Sequence, residues 1–125
     1  MSTIGHPLSD LINLTTPYYL KDSNAVRSVP AFQDGRTPGL PTEKELVKWY
    51  AEVAGWDPSP ELTWGVAFGF FRATCIYQGI AARYAVRQAS SAKAKINAEA
   101  RHPMGQLAWD NVQKALQSSK EKAKL

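Results

Sequence analysis

Leu62-Thr63-Trp64-Gly65-Val66-Ala67-Phe68-Gly69-Phe70-Phe71 is the most apolar stretch of this chain, and Arg72 closes it. A membrane-spanning helix needs about 20 such residues, so this run is too short to cross a bilayer. It reads instead as the first half of one long helix that begins at Pro60 or Glu61 and continues to about Gln88. Residues 62–76 are apolar almost all round, the pattern of a helix buried on most sides. Gly65, Gly69 and Ala73 recur every four residues, and small groups at that spacing let a second helix approach closely. Cys75 lies in the same run and is expected to be a small buried group. The second half is more amphipathic, with Arg83 and Arg87 on a wetter face.

Working outward, Trp56-Asp57-Pro58-Ser59-Pro60 forms a tight connector into this helix. Before it, Thr42-Glu43-Lys44-Glu45 is a capping box, in which hydroxyl and carboxylate each satisfy an orphan backbone amide. Leu46, Tyr50 and Val53 then predict one apolar face, with Trp49 beside it, and Gly55 ends that helix. Pro7 suits the first turn of a helix. Leu8, Leu11 and Ile12 follow at helical spacing and predict a helix of about two turns. Thr15 to Pro41 carries Pro17, Pro30, Pro38, Gly35 and Gly39, which predicts a long irregular segment. Tyr18, Tyr19 and Phe32 are expected to pin it down. On the other side of the long helix, Ala89 to Ala100 reads as a loop or weak helix. Pro103 is expected to open the last helix, whose stripe is Met104, Leu107, Ala108, Val112, Ala115 and Leu116. No strand pattern and no internal repeat is found. The expected fold class is all-α, about four helices plus a long irregular loop.

The chain has 125 residues, enough for one modest core. Its hydrophobic share of 44% fits a globular chain rather than a disordered one. Four Trp and five Tyr supply bulky groups that are expected to be core. The net charge of +4 is uneven, because from Arg87 onward eight Lys or Arg face three acids. Nucleic-acid binding would need aromatics among those cations, and Trp109 is alone there. A solvated helix face and no nucleic-acid partner are therefore expected. Cys75 is the single cysteine, so no internal disulfide can form, consistent with a reducing compartment. No basic segment followed by an apolar one marks a secretory signal at the start.

Few residues carry recognisable chemistry. His6 and His102 have no partner at a metal-ligand spacing, so no metal site is expected, and His6 reads as a turn or cap residue. Gly35-Arg36-Thr37-Pro38-Gly39 is a turn sequence without the Lys-Ser/Thr of a phosphate loop. Arg72 interrupts an apolar helix, and a buried guanidinium needs a partner. Its default reading is a structural ion pair; contact with an anionic substrate group is the sharper one. Ala123-Lys124-Leu125 is a conservative variant of the Ser-Lys-Leu peroxisomal address, which is read at a free carboxyl end. It implies a peroxisomal import receptor as partner, and a cytoplasmic location otherwise.

Ser2-Thr3-Ile4-Gly5-His6-Pro7-Leu8-Ser9-Asp10-Leu11 resembles the segment just after the metal-binding acidic motif of the aminoglycoside phosphotransferase and choline-kinase-like family. The closest resemblance is to the kinase-like domain fused to acyl-CoA dehydrogenases. Phe71-Arg72, Ile76 and Gln78-Gly79-Ile80 give a second patch similar to a helix of that group. The resemblance implies that residues 1–119 are the C-terminal helical subdomain of a protein-kinase-like α+β fold, with 120–125 a basic tail carrying the address. It implies ATP and Mg²⁺ as cofactors of the complete domain, which would phosphorylate a hydroxyl acceptor, of hydroxyacyl type in the family. Asp10 would accept hydrogen bonds from the catalytic-loop backbone as a supporting residue. Arg72, Gln78 and Arg83 would lie on the substrate side or be structural.

The family's His-x-Asp loop, with its base and metal-binding Asn, has no counterpart in this chain. Nor does the acidic motif beyond it. The expected catalytic set in these residues is therefore none, and no cofactor is expected to be held by the chain itself. Met1 stands where the family has a residue inside the motif, as in a truncated gene product, an internal start or a decayed relative. The expected function is a fragment of an ATP-dependent small-molecule phosphotransferase, inactive alone. It would expose apolar surface to a missing N-terminal lobe, or self-associate through it. The alternative is a non-catalytic helical interaction protein targeted to peroxisomes.

Overall fold

The computed structural model describes residues 5–21 and 28–122, and every regular element among them is helical. Four long helices and one short one follow in order: α1 (Pro7–Tyr19), α2 (Glu43–Ala54), α3 (Leu62–Ala85), α4 (Ala94–Glu99) and α5 (Arg101–Lys122). Single turns of tighter 3₁₀ helix lie at Pro30–Phe32 and Ser59–Glu61. The all-α expectation therefore holds. The chain divides into two compact units, Met1–Gly65 and Val66–Leu125.

In the first unit, α1 starts where Pro7 predicts. The His6 imidazole caps it, its Nδ1 accepting from the Leu8 N–H at 3.2 Å. The helix is twice the expected length, because Pro17 does not stop it. Proline removes its own N–H and crowds the carbonyl of residue i−4, but near the end of a helix few further helical bonds depend on it. Pro17 sits in the last turn, and two threonines donate back to the carbonyls one turn earlier. Thr15 Oγ1 reaches the Leu11 carbonyl at 2.9 Å and Thr16 Oγ1 the Ile12 carbonyl at 2.7 Å. Such back-bonding satisfies a hydroxyl inside an apolar interior. Leu8, Leu11, Ile12, Tyr18, Leu20 and Val47 are buried, and Leu11 and Thr15 have almost no exposure.

The segment after α1 is irregular, as expected, but fastened from the helix itself. Tyr18 donates its hydroxyl to the Pro41 carbonyl at 2.8 Å and sets its ring edge-on to Phe32, 4.9 Å between centroids. Tyr19 donates to Glu43 Oε1 at 2.7 Å. Two adjacent phenols thus tie the end of α1 to the start of α2. The capping box at Thr42 forms as read from the sequence: Thr42 Oγ1 accepts from the Glu45 N–H, and Glu45 Oε2 accepts from the Thr42 N–H at 2.8 Å.

On α2 the apolar face turns by one position. Val47 is the buried residue, while Val53, expected to face inward, is 91% exposed. Gly55 ends the helix in the left-handed region at φ 66°, where a residue with a Cβ is strained. Close packing of α1 on the start of α3 needs Gly65. A methyl group there would come within 2.9 Å of Leu8 Cγ and 3.0 Å of Ile12 Cγ1. The small-residue reading is correct at that glycine.

The second unit holds α3 from Val66 onward, α4 and α5. Its buried side chains are mostly small: Val66, Ala67, Phe70, Ala94, Ala98, Ala100, Met104 and Ala108. Gly105 of α5 lies against Thr74 of α3, its Cβ position 3.5 Å from Thr74 Cγ2. α3 ends with Arg87 at φ 57°, its N–H donating to the Tyr84 carbonyl and the Gln88 N–H to the Arg83 carbonyl. This is a Schellman ending, built on arginine where glycine is usual.

Two expectations for α3 are corrected. Cys75 is exposed, not buried. Phe68, Phe71 and Ile76 are each half exposed or more, so the helix is not covered on most sides in this chain. Bulk was also expected inside, yet Trp49, Trp64 and Trp109 are all exposed. Buried side chains in the second unit are mostly small, and three of the four tryptophans stay out.

Candidate functional site

The residues singled out from sequence lie in both units. Asp10 lies in the first turn of α1, four residues after the His6 cap, with its side chain exposed. The expected supporting role would have its carboxylate accept backbone hydrogen bonds. Among the described residues it has no hydrogen-bond or ion-pair partner. Its position near a helix N-terminus suits a carboxylate. His6 sets its ring edge-on to Trp56, 5.4 Å between centroids, and Trp56 in turn meets Tyr50 at 6.3 Å. The cap is therefore wedged between α1 and the connector before α3.

Arg72 and Gln78 lie on α3 in the second unit, Arg72 half-buried and Gln78 exposed. Arg83 is exposed, and its guanidinium folds back one turn, with Nη1 3.7 Å from where a Cβ would stand on Gly79. The three do not converge. Ala123, Lys124 and Leu125, read as a peroxisomal address, lie outside the described residues, as do Ser2, Thr3 and Ile4 of the N-terminal motif.

Gln78 does line a groove of about 460 Å³, with Thr74 and Cys75 from α3 and Arg101, His102 and Gly105 from α5. Thr74 spends its hydroxyl proton on the Phe70 carbonyl at 2.8 Å. Arg101 Nη1 donates to the Ala98 carbonyl at 2.6 Å. Sequence reasoning missed Arg101 and set His102 aside for want of a partner at metal-ligand spacing. The available signal was their place immediately before Pro103, at the opening of a helix. A second depression of about 620 Å³ in the first unit lies along α2, with Val47, Ala51 and Leu62 among its walls. Lys44, Lys48, Glu43 and Glu52 line it too, so its charges are mixed.

Electrostatic perturbation concentrates at the α1–α2 tie. Burial, followed by the hydrogen bond to the Glu43 carboxylate, pushes the Tyr19 phenol far above its usual range. Burial, then the nearby charges of Asp34 and Glu45, raises Tyr18 as well. The Thr42 backbone and hydroxyl hold Glu45 below the usual carboxylate range, and Ser59 does the same for Asp57. These groups are locked by structure and are not poised for proton transfer near neutrality. Among the described residues no group of three or more His, Cys, Asp or Glu is placed to hold a metal ion. ATP and Mg²⁺ are implied by the resemblance for the complete family domain, not for these residues. No described helix is long and apolar enough to cross a membrane.

Over 110 residues, 88% of this chain, the sequence is 34% identical to acyl-CoA dehydrogenase family member 10 of Mus musculus. The chain is homologous to a segment of such proteins. Acyl-CoA dehydrogenase family member 11 of Rattus norvegicus is 32% identical over 85% of the chain, and that of Mus musculus 29% over 98%. The matched segment takes up only 10%, 14% and 16% of those relatives' lengths. No family model and no solved structure matches the chain.

Proposed function

We propose that these helices are the acceptor-side scaffold of an ATP-dependent small-molecule phosphotransferase, and that the chain does not itself turn over ATP. The observation that carries this reading is the similarity of nearly the whole chain to a short segment of acyl-CoA dehydrogenase family members. It agrees with the Gly5-His6-Pro7 and Phe71-Arg72 resemblances to the kinase-like domain fused to such dehydrogenases. Phosphoryl transfer is mostly positioning and charge neutralisation, so a helical wall contributes by shaping the acceptor side while base and metal ligands come from elsewhere. Asp10, exposed at the start of α1, has the free carboxylate that a backbone-supporting role requires. The acceptor in this reading carries a hydroxyl, of hydroxyacyl type.

Half-exposed Phe68 and Phe71 on α3, 6.5 Å apart between ring centroids, support the same reading. Contiguous exposed apolar groups often mark a surface that meets a partner. The purified 125-residue chain is expected to leave ATP intact with Mg²⁺ and a hydroxyacyl acceptor present. Steady, metal-dependent ATP consumption would refute the reading. In a protein carrying the complete domain, Asp10→Asn is expected to lower turnover while metal binding persists; unchanged turnover removes the supporting role.

A second reading is favoured by Ala123-Lys124-Leu125: a non-catalytic helical interaction protein addressed to peroxisomes. A fluorescent fusion with Leu125 as its free end would collect in peroxisomes in that case, and a diffuse signal would dismiss the address.

A further inference from the structure

We propose that the groove between α3 and α5 is a binding site for a small oxyanion, a phosphate or a carboxylate group. The argument is one of unmatched donors. Of the groove's six lining residues only Arg101 carries a permanent charge, and it is positive. Arg101 is half-buried, and no ion pair to it is found among the described residues. One of its N–H groups is spent on the Ala98 carbonyl, which fixes the guanidinium. Four of the five N–H donors remain, in a fork that matches an oxyanion. Gln78 and His102 add further donors, and neither has a hydrogen-bond partner among the described residues.

The nearest acid in sequence, Glu99, is exposed at the end of α4 and forms no ion pair with Arg101 among the described residues. Residues 62–98 contain no Asp or Glu at all, and Asp110 on α5 is engaged by Gln106 Nε2 at 2.8 Å. Gly105 keeps the wall open, because its missing side chain leaves Thr74 as the near surface. Thr74 has turned its proton inward to Phe70, so it contributes shape and not a donor. An acceptor-only ligand is the chemistry that a fixed cation, an amide and an imidazole, with no acid in the groove lining, would take. The inference rests only on residues 74–105 and stands whether or not the phosphotransferase reading does.

The test is a heteronuclear NMR titration of the full chain with inorganic phosphate, with acetate, and with sodium chloride at matched ionic strength. Saturable shifts confined to residues 74–78 and 101–105 are expected with at least one oxyanion and not with chloride. The stronger of phosphate and acetate identifies the source. Arg101→Gln is expected to weaken binding about tenfold or more, the usual worth of a charge-assisted bond, and Arg101→Lys less. Gln78→Ala, at an exposed site that leaves the Ala98 bond intact, is expected to weaken it by a smaller factor. Bound phosphate or acetate is also expected to slow alkylation of Cys75 by iodoacetamide. The proposal is overturned by shifts equal to those in chloride, by shifts elsewhere, or by Arg101→Gln and Gln78→Ala binding like the native chain. In those cases Arg101 is only the cap of α4.

Discussion

The two units bury different things. Residues up to Gly65 enclose Leu8, Leu11, Ile12 and Tyr18, and directed bonds from Tyr18 and Tyr19 to the start of α2 add to that core. Residues from Val66 on enclose mainly alanines, with Val66, Phe70 and Met104, and leave Phe68, Phe71, Ile76 and Trp109 in water. Burial stabilises in proportion to the apolar area removed from water, so alanines contribute little each. The first unit is organised as a core of large side chains, though Leu14, Trp49, Val53 and Trp64 stay exposed. The second is organised as close-packed helices with mostly small buried side chains, and most of its large apolar groups stay outside.

The comparison breaks most readily at Leu11. Leu11→Ala is expected to cost roughly 2–5 kcal/mol, read by urea denaturation, because the lost contacts leave a cavity. A cost under about 1 kcal/mol would mean that burying a large side chain stabilises the first unit no more than an alanine does the second. Gly65→Ala comes next. Its methyl group must displace Leu8 and Ile12, at a cost of about 1–3 kcal/mol.

Tyr19→Phe is expected to cost about 1 kcal/mol by removing the bond to Glu43. It also sharpens the comparison through pH. Tyr18 and Tyr19 are both raised when folded, so they stay neutral where the unfolded chain ionises. Their contribution is therefore complete below the ordinary phenol value, about 10, and declines as pH rises past it. The native chain should lose stability above that pH more steeply than Tyr19→Phe.

Arg87→Gly should raise stability by about 0.5–1 kcal/mol, since glycine takes the left-handed ending of α3 without strain. α2 already has this arrangement at Gly55. The smallest stability change belongs to the pair Phe68→Ser and Phe71→Ser, within about 0.5 kcal/mol. Their effect is on association: sedimentation should show less self-association than the native chain. Equal behaviour would mean that the exposed rings meet nothing.

Much of the fold was legible. The Thr42 capping box, Pro7, Gly55 and the uninterrupted run from Leu62 all act through local backbone chemistry, which a sequence displays. Pro17 misled because its cost depends on how near the helix end lies, and that end was set by the tertiary bonds of Tyr18 and Tyr19. Val53 misled because two adjacent faces of α2 were both partly apolar, and packing chose Val47. The exposure of Phe68, Phe71 and Cys75 was hidden for another reason. Periodicity reports that a face is apolar, not whether this chain carries the element that covers it. Of the candidate site, Gln78 was visible within a family-like patch. Arg101 and His102 were not, since only the crossing of α5 over α3 at Gly105 and Thr74 brings them beside it.

The most direct test joins this chain to the region that precedes the matched segment in acyl-CoA dehydrogenase family member 11, and assays phosphoryl transfer from ATP to a hydroxyacyl acceptor. The account predicts Mg²⁺-dependent product from the joined protein and none from either part alone. A joined protein that folds and gives no more product than the preceding region by itself would contradict it.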